Sequence, residues 1–418
     1  MTTPITSQLF NHLKPTRGRI TASRAEAYLD EYSPYQLGLY IESIDWLTSF
    51  QAAHNPHPTA TPYTVAVDQA TVVIQINQTT IIIDPHEQFN VNQYTPDVII
   101  VTHAHHDHCG GLIALSRAHP ACTVAMTDIT WQLCAIHEHD AITSIREAVG
   151  ETLTTDGHLH TINTIELRCY PAGHLIGACI VDIRLCGVSL LISGDFCLRP
   201  LAHALNGYWP QHHYDLVLLE GTHINDTTIP VTDQLHNNQA LITSCLEAES
   251  EHIVIVANAL GTAQDIYTHL LTAQMQGNLQ PYRIYLHGKA AEVANHYQRN
   301  YMHTAPQWKL PLYDYTVTNR PSIFITSTTN EHQIASLAQQ GTIMRQGIDK
   351  LLIAQGSHYW HTNHASQREL ICTALAIPCT HVGFYHTTVS IDTFRPLAQF
   401  FAACGRSSHL MNHIRWEA

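Results

Sequence analysis

The chain has 418 residues, 45% hydrophobic and only 13% charged, against about 25% charged in a typical soluble protein. That length gives room for two or three domains at roughly 150 residues each, and low charge with ordinary apolar content excludes a disordered chain. A net charge of −14, with 20 Lys and Arg against 34 Asp and Glu, excludes a broad basic surface gripping duplex nucleic acid through its phosphates.

Residues 1–62 read as a short helical extension and linker. Ser33-Pro34 sets a capping serine before proline at a first helical position, and apolar residues recur at helical spacing from Tyr35 to Leu47. The prolines between His54 and Pro62 break both helix and sheet. From Tyr63 the texture changes to short β runs: Thr71–Ile76, Thr80–Asp84, Val98–Thr102, Ile165–Tyr170, Cys179–Ile183, Val188–Ser193 and Leu216–Leu219, all rich in β-branched or aliphatic residues and bounded by turn formers. Beyond about Asp233, strands at His252–Ala257, Tyr282–Leu286, Ser322–Thr326 and Leu351–Ala354 alternate with helices at Ala263–Gln276 and Ala290–Arg299. Such alternation implies a parallel sheet covered by helices. The 11 cysteines form no CxxC pair and read as free thiols of a reducing compartment. Met1-Thr-Thr-Pro-Ile-Thr-Ser opens without a basic n-region and apolar core, and no run approaches the ~18 apolar residues of a membrane span. A cytoplasmic location with no membrane contact is the expectation.

The segment richest in chemistry is His103-Ala-His105-His106-Asp107-His108-Cys-Gly-Gly-Leu112, which follows an apolar strand and precedes a helix. Four imidazoles and a carboxylate within six residues suit a borderline metal such as zinc, which takes imidazole nitrogen and carboxylate oxygen. The other histidines of this His-rich chain, His106, His137, His139, His212 and His213 among them, read as surface polar groups.

His103-x-His105-x-Asp107-His108 resembles the HxHxDH signature of the metallo-β-lactamase fold. Asp84 at a strand end, His174 in Ala172-Gly-His-Leu-Ile-Gly-Ala178 and Asp195 in Ser193-Gly-Asp-Phe196 follow in the order that fold requires. The resemblance implies an αβ/βα sandwich with a two-zinc site. His103, His105 and His174 would bind one ion and Asp107 and His108 the other. Asp195 would bridge, and Asp84 would steady the ligand loop by hydrogen bonds.

Three further stretches resemble the β-CASP nuclease branch, which includes ribonuclease J and the pre-mRNA 3′-end endonuclease. Asp215-Leu-Val-Leu-Leu-Glu220 looks like a strand ending in its acidic residue, His364-Ala-Ser-Gln-Arg-Glu-Leu370 like a His opening a helix, and Val382-Gly-Phe-Tyr-His386 like a His ending a strand. His381 competes with His386 for that last position. Val254 to Asp265, with Gly261-Thr-Ala-Gln, resembles a run inside the family's inserted domain. On this reading the metallo-β-lactamase domain occupies 63–220 and returns over 356–418, with a β-CASP insert at 221–355. The chain departs from the family at Thr262, where Arg is usual, in the glycine-free Ser327–His332 segment, at Ala354–His358, and in His386-Thr-Thr. These losses fall on parts expected to line the substrate channel rather than on the metal ligands.

The function implied is a dinuclear-zinc phosphodiesterase, with His364 as general acid, Glu220 charging its imidazole and His386 completing the second zinc shell. A histidine at the third motif goes with RNA rather than DNA, so single-stranded RNA is the expected substrate. A hydrolase of a small ester, lactone or nucleotide is the alternative, since acidity would not impede it. A non-catalytic subunit is the second alternative, with residues 1–60 as docking surface for a protein partner or a second copy.

Overall fold

The structure, a computed structural model, describes residues 61–197, 207–210, 212–224, 245, 252–279, 282–301, 321–327, 330–338, 342–346, 351–353, 356–358, 364–365, 367–403, 406–411 and 415–417. The expected helical extension at 1–62 lies outside these, apart from Thr61 and Pro62.

Two compact units divide the chain. The first comprises residues 1–200, 205–229 and 364–418, the second 201–204 and 230–363, set against the 221–355 expected for the insert. In the first unit, β1 (Tyr63–Asp68), β2 (Thr71–Ile76), β3 (Thr79–Ile83) and β4 (Val98–Ile100) lead to α1 (His106–Cys109) and α2 (Leu112–Ala118). Then come β5 (Thr123–Thr127), α3 (Asp128–Val149), β6 (Gly150–Leu153), β7 (His160–Ile162), β8 (Ile165–Pro171), β9 (Cys179–Leu185), β10 (Val188–Ile192) and β11 (Tyr214–Glu220). The second unit holds β12 (His252–Val256), α4 (Thr262–Met275), β13 (Arg283–His287), α5 (Lys289–Tyr301), β14 (Ser322–Thr326), α6 (Glu331–Ala338), β15 (Thr342–Gln346), β16 (Leu351–Ile353) and β17 (Gly356–His358). The chain then returns to the first unit with α7 (Gln367–Ala376), β18 (Cys379–Tyr385), α8 (Ile391–Ala403), β19 (Ser407–Leu410) and β20 (Arg415–Glu417).

The first unit is a sandwich of two seven-stranded mixed sheets, ordered β20-β1-β2-β3-β4-β5-β6 and β19-β18-β11-β10-β9-β8-β7. Alternate residues of each strand point inward, since side chains switch faces at every step along a strand. Val65, Ile74, Ile81 and Ile100 from one sheet thereby join Leu167, Val181, Leu190 and Leu218 from the other in one apolar core. α3 packs on β5 and β6, while α7 and α8 pack on β11 and β19, covering the outer faces. This is the αβ/βα arrangement expected. The second unit is a sheet ordered β13-β14-β12-β15-β16-β17, parallel through β15, with helices between the parallel strands.

The strand directions decide where chemistry can gather. β3 and β4 run parallel, as do β10, β11 and β18, and β8 aligns with β10 because both are antiparallel to β9. The C-terminal ends of these strands are followed by Asp84, His103, His174, Asp195 and His386, while Glu220 is the last residue of β11.

Candidate metal centre

Among the described residues, four groups of His and carboxylate side chains place ligand atoms within 4.8 Å of one another. They are His103, His105, His174 and Asp195; Asp84, His103 and His108; Asp107, His108 and His386; and Asp195, Glu220 and His364. Every residue singled out from the sequence for this chemistry is in one of them, and the sharing of Asp195, His103 and His108 joins the groups into one cluster. His105 Nδ1 lies 3.1 Å from His103 Nε2 and 3.0 Å from His174 Nε2. Asp195 Oδ2 is 3.6 Å from His103 Nε2, 3.7 Å from His174 Nε2 and 3.3 Å from His108 Nε2, while its Oδ1 is 3.1 Å from His386 Nδ1. Asp195 thus faces both halves. His386 Nε2 is 3.4 Å from Asp107 Oδ2. His381 lies elsewhere, five residues back along β18, against His409.

Local backbone geometry aims these groups. Gly173 and Gly194, immediately before His174 and Asp195, have φ of +74° and +56°, the left-handed region that costs glycine little. A Cβ on Gly173 would fall 2.0 Å from the Cys197 carbonyl oxygen, and one on Gly194 would fall 2.6 Å from Thr102 Oγ1. Asp84 and His386 adopt φ of +52° themselves, a costly conformation for residues with side chains and one that clusters at functional sites.

Asp84 is fully buried and accepts from the Thr102 amide (2.7 Å), from Thr102 Oγ1 (2.7 Å) and from His108 Nδ1 (2.8 Å). Thr102 Oγ1 also lies 3.0 Å from His103 Nδ1. One carboxylate therefore fixes two imidazoles by their far nitrogens and turns each Nε2 toward the cluster. Glu220, also fully buried, accepts from the Thr222 amide (2.8 Å), and its Oε1 lies 3.3 Å from both the Ala365 amide and His364 Nδ1. His364 Nε2 is left facing Asp195 Oδ2 at 3.7 Å.

The electrostatics are those of a negative cradle. Burial works against charge on Asp195, yet His108, His364 and His386 outweigh it and hold the carboxyl well below the usual range. Burial likewise opposes charge on His108, but Asp195 and Asp84 push its pKa well above that of a free imidazole. His364 is raised against burial by Asp195 and Glu220, and His386 is pushed up to about 9 against burial, chiefly by Asp195. His103 is held well below, by burial together with its imidazole neighbours.

Do these residues fit a metal? His108 Nε2 is completely buried and makes no well-angled hydrogen bond, although Asp195 Oδ2 is near. Among the described residues, the ion pairs of Asp84, Asp195 and Glu220 are all with histidines, which must carry protons to balance them. A bound cation would supply that positive charge instead, and the donor set of imidazole nitrogens and carboxylate oxygens suits zinc. The residues fit.

Residues 64–130 match the model of the metallo-beta-lactamase superfamily. The chain carries a metallo-β-lactamase domain. That family implies a divalent metal, in agreement with the donor set. Integrator complex subunit 11 of Danio rerio is 26% identical over 223 residues, 49% of this chain and 37% of that protein. Endoribonuclease YSH1 of Gibberella zeae is 27% identical over 195 residues, 41% of the chain and 23% of that protein. Cleavage and polyadenylation specificity factor subunit 3-I of Arabidopsis thaliana is 24% identical over 189 residues, 41% of the chain and 27% of that protein. The chain thus spans about a third or less of the length of these relatives. A solved protein of unknown function from Enterococcus faecalis V583 covers 86% of this chain and all of its own at a TM-score of 0.51 and 12% identity, a likeness of fold alone.

Sequence reasoning missed some supports of the metallo-β-lactamase centre. Thr102 directly precedes the HxHxDH run, and only its position hinted that it would link Asp84 to His103. Ser193 Oγ accepts from the Glu220 amide at 2.9 Å, tying the Asp195 loop to β11. His223, which the sequence already set beside the Glu220 motif as a candidate substrate contact, is buried with its ring edge-on to His364, centroids 5.9 Å apart.

Proposed function

We propose that this chain hydrolyses phosphodiester bonds of single-stranded RNA with two zinc ions in the cluster. The observation that carries the reading is the Glu220–His364 pair beside Asp195, an acid–base unit that metal binding alone does not call for. The names of the relatives, an endoribonuclease among them, favour the same activity. His103, His105 and His174 would hold one ion, Asp107, His108 and His386 the other, with Asp195 shared. When bound, the ions supply Lewis acidity at phosphoryl oxygens and a water whose pKa is lowered from 15.7 to about 7.

The chain's own groups would do the rest. Glu220 takes the Nδ1 side of His364 and favours its protonated form, so Nε2 carries a proton for the departing ribose oxygen. The Ala365 and Thr222 amides hold the Glu220 carboxylate in place, so the imidazole is aimed before substrate arrives. Asp84 and Thr102 orient His108 and His103 and keep their proton-bearing nitrogens turned away from the ions. A cytoplasmic setting and a protein partner or second copy docking through residues 1–60 belong to the same proposal.

The deciding comparison uses labelled single-stranded RNA, single-stranded DNA and a small phosphodiester with three proteins. His364→Ala should keep its metal by elemental analysis and lose about 10²–10⁴-fold in RNA cleavage, the scale of a general acid. Asp195→Asn should lose metal. If His364→Ala loses metal instead, the general-acid role is wrong. If wild type cuts the small ester but not RNA, the substrate is wrong.

A further inference from the structure

His381 is not part of the metal centre. It lies near the start of β18, five residues before His386, or roughly 16 Å along a strand. β18 runs parallel to β19, with His381 beside Ser407 and Gly383 beside His409. His381, Ser407 and His409 therefore share one face of this sheet edge. His381 Nδ1 and His409 Nε2 are 3.4 Å apart, and Ser407 Oγ is 3.0 Å from the same His409 Nε2.

We propose that His381, His409 and Ser407 form a second site, for a zinc-like divalent transition metal, distinct from the cluster at the opposite ends of the strands. Two nitrogens each about 2.0–2.1 Å from a tetrahedral zinc are separated by about 3.3–3.4 Å, the edge of that tetrahedron. The observed 3.4 Å fits this edge. The Ser407 hydroxyl oxygen supplies a third donor, and solvent can complete the shell. Burial keeps both imidazoles below their ordinary pKa, which favours the neutral form that metals bind, and the Asp215 carboxylate acts on His381 through space to favour positive charge there. An ion here would clip the edge strand β19 to β18. Edge strands are the exposed margin of a sheet, and this one leads directly into β20, which closes the edge of the facing sheet.

The test counts ions and does not depend on RNA cleavage. Equilibrium dialysis of the full chain against micromolar free Zn2+ should give wild type one equivalent more than His381→Asn or His409→Asn. The double variant should lose no more than either single, because both residues serve one ion. Ser407 is exposed, so Ser407→His should fold normally and bind that extra equivalent at least about tenfold more tightly by adding a third imidazole. Equal stoichiometry in wild type and single variants, or additive losses, would overturn the site. Should the asparagine variants fail to fold, Ser407→His decides alone: unchanged affinity refutes the proposal.

Discussion

Thr102 shows how much a single hydroxyl can carry. It is buried, and its oxygen stands between the Asp84 carboxylate and His103 Nδ1, so it sets both the position and the tautomer of a candidate ligand. Thr102→Val keeps the shape and removes the oxygen. Asp84 then loses one of three donors, for which a cost of about 1–3 kcal/mol in folding stability is expected, readable in a urea titration. His103 becomes free to turn, and metal affinity should fall about 10–100-fold in chelator competition, the usual effect of removing a group that orients a metal ligand. Unchanged affinity would mean that packing alone holds the imidazole. The candidate ligands were legible because they are chemically conspicuous, four imidazoles in six residues. Thr102 and Ser193 were not, because a threonine or a serine carries no signal until the fold brings a partner to it.

Elements show the same division. β2, β3, β9 and β10 were readable from runs of β-branched residues, and the helices and strands of the second unit from their alternation. β1 and β19 were harder: Tyr63–Asp68 and Ser407–Leu410 gain their pairing from β2 and β18, not from an apolar run of their own. The return of the chain also depends on a contact that no local pattern announces. Arg406, buried just before β19, donates to the carbonyl oxygens of Leu375 (3.3 Å), Ile377 (2.6 Å) and Cys379. These carbonyls lie at the end of α7 and the start of β18, so the guanidinium complements the negative end of the helix and ties it to the strand. That junction sets the relation of His364, before α7, to His386, after β18. Arg406→Ala would strand three carbonyls in the interior. A loss of at least about 2 kcal/mol is expected in chemical denaturation, together with a lower cleavage rate. Arg406→Lys, with one compact ammonium in place of a planar fork, should recover only part of it.

At the scale of the whole molecule, charge and proposed substrate pull against each other. A net charge of −14 repels a polyanion, and only 20 Lys and Arg are spread over 418 residues. Residues of the cluster are themselves acidic, so the ions they hold would be the main local attraction for phosphate. Such an arrangement permits few phosphate contacts, and salt dependence measures their number, since log affinity for a single strand falls with log salt at about 0.7 per contact. With two or three contacts, the slope should be shallower than about −2. The measurement is anisotropy of labelled RNA with zinc-loaded His364→Ala, which should bind but scarcely cut, across a series of KCl concentrations. A slope of about −4 or steeper would reveal a basic track contributed by the protein and displace the ions as the principal grip. A shallow slope with weak binding would instead locate the missing affinity outside this chain, in a partner that brings the cations it lacks.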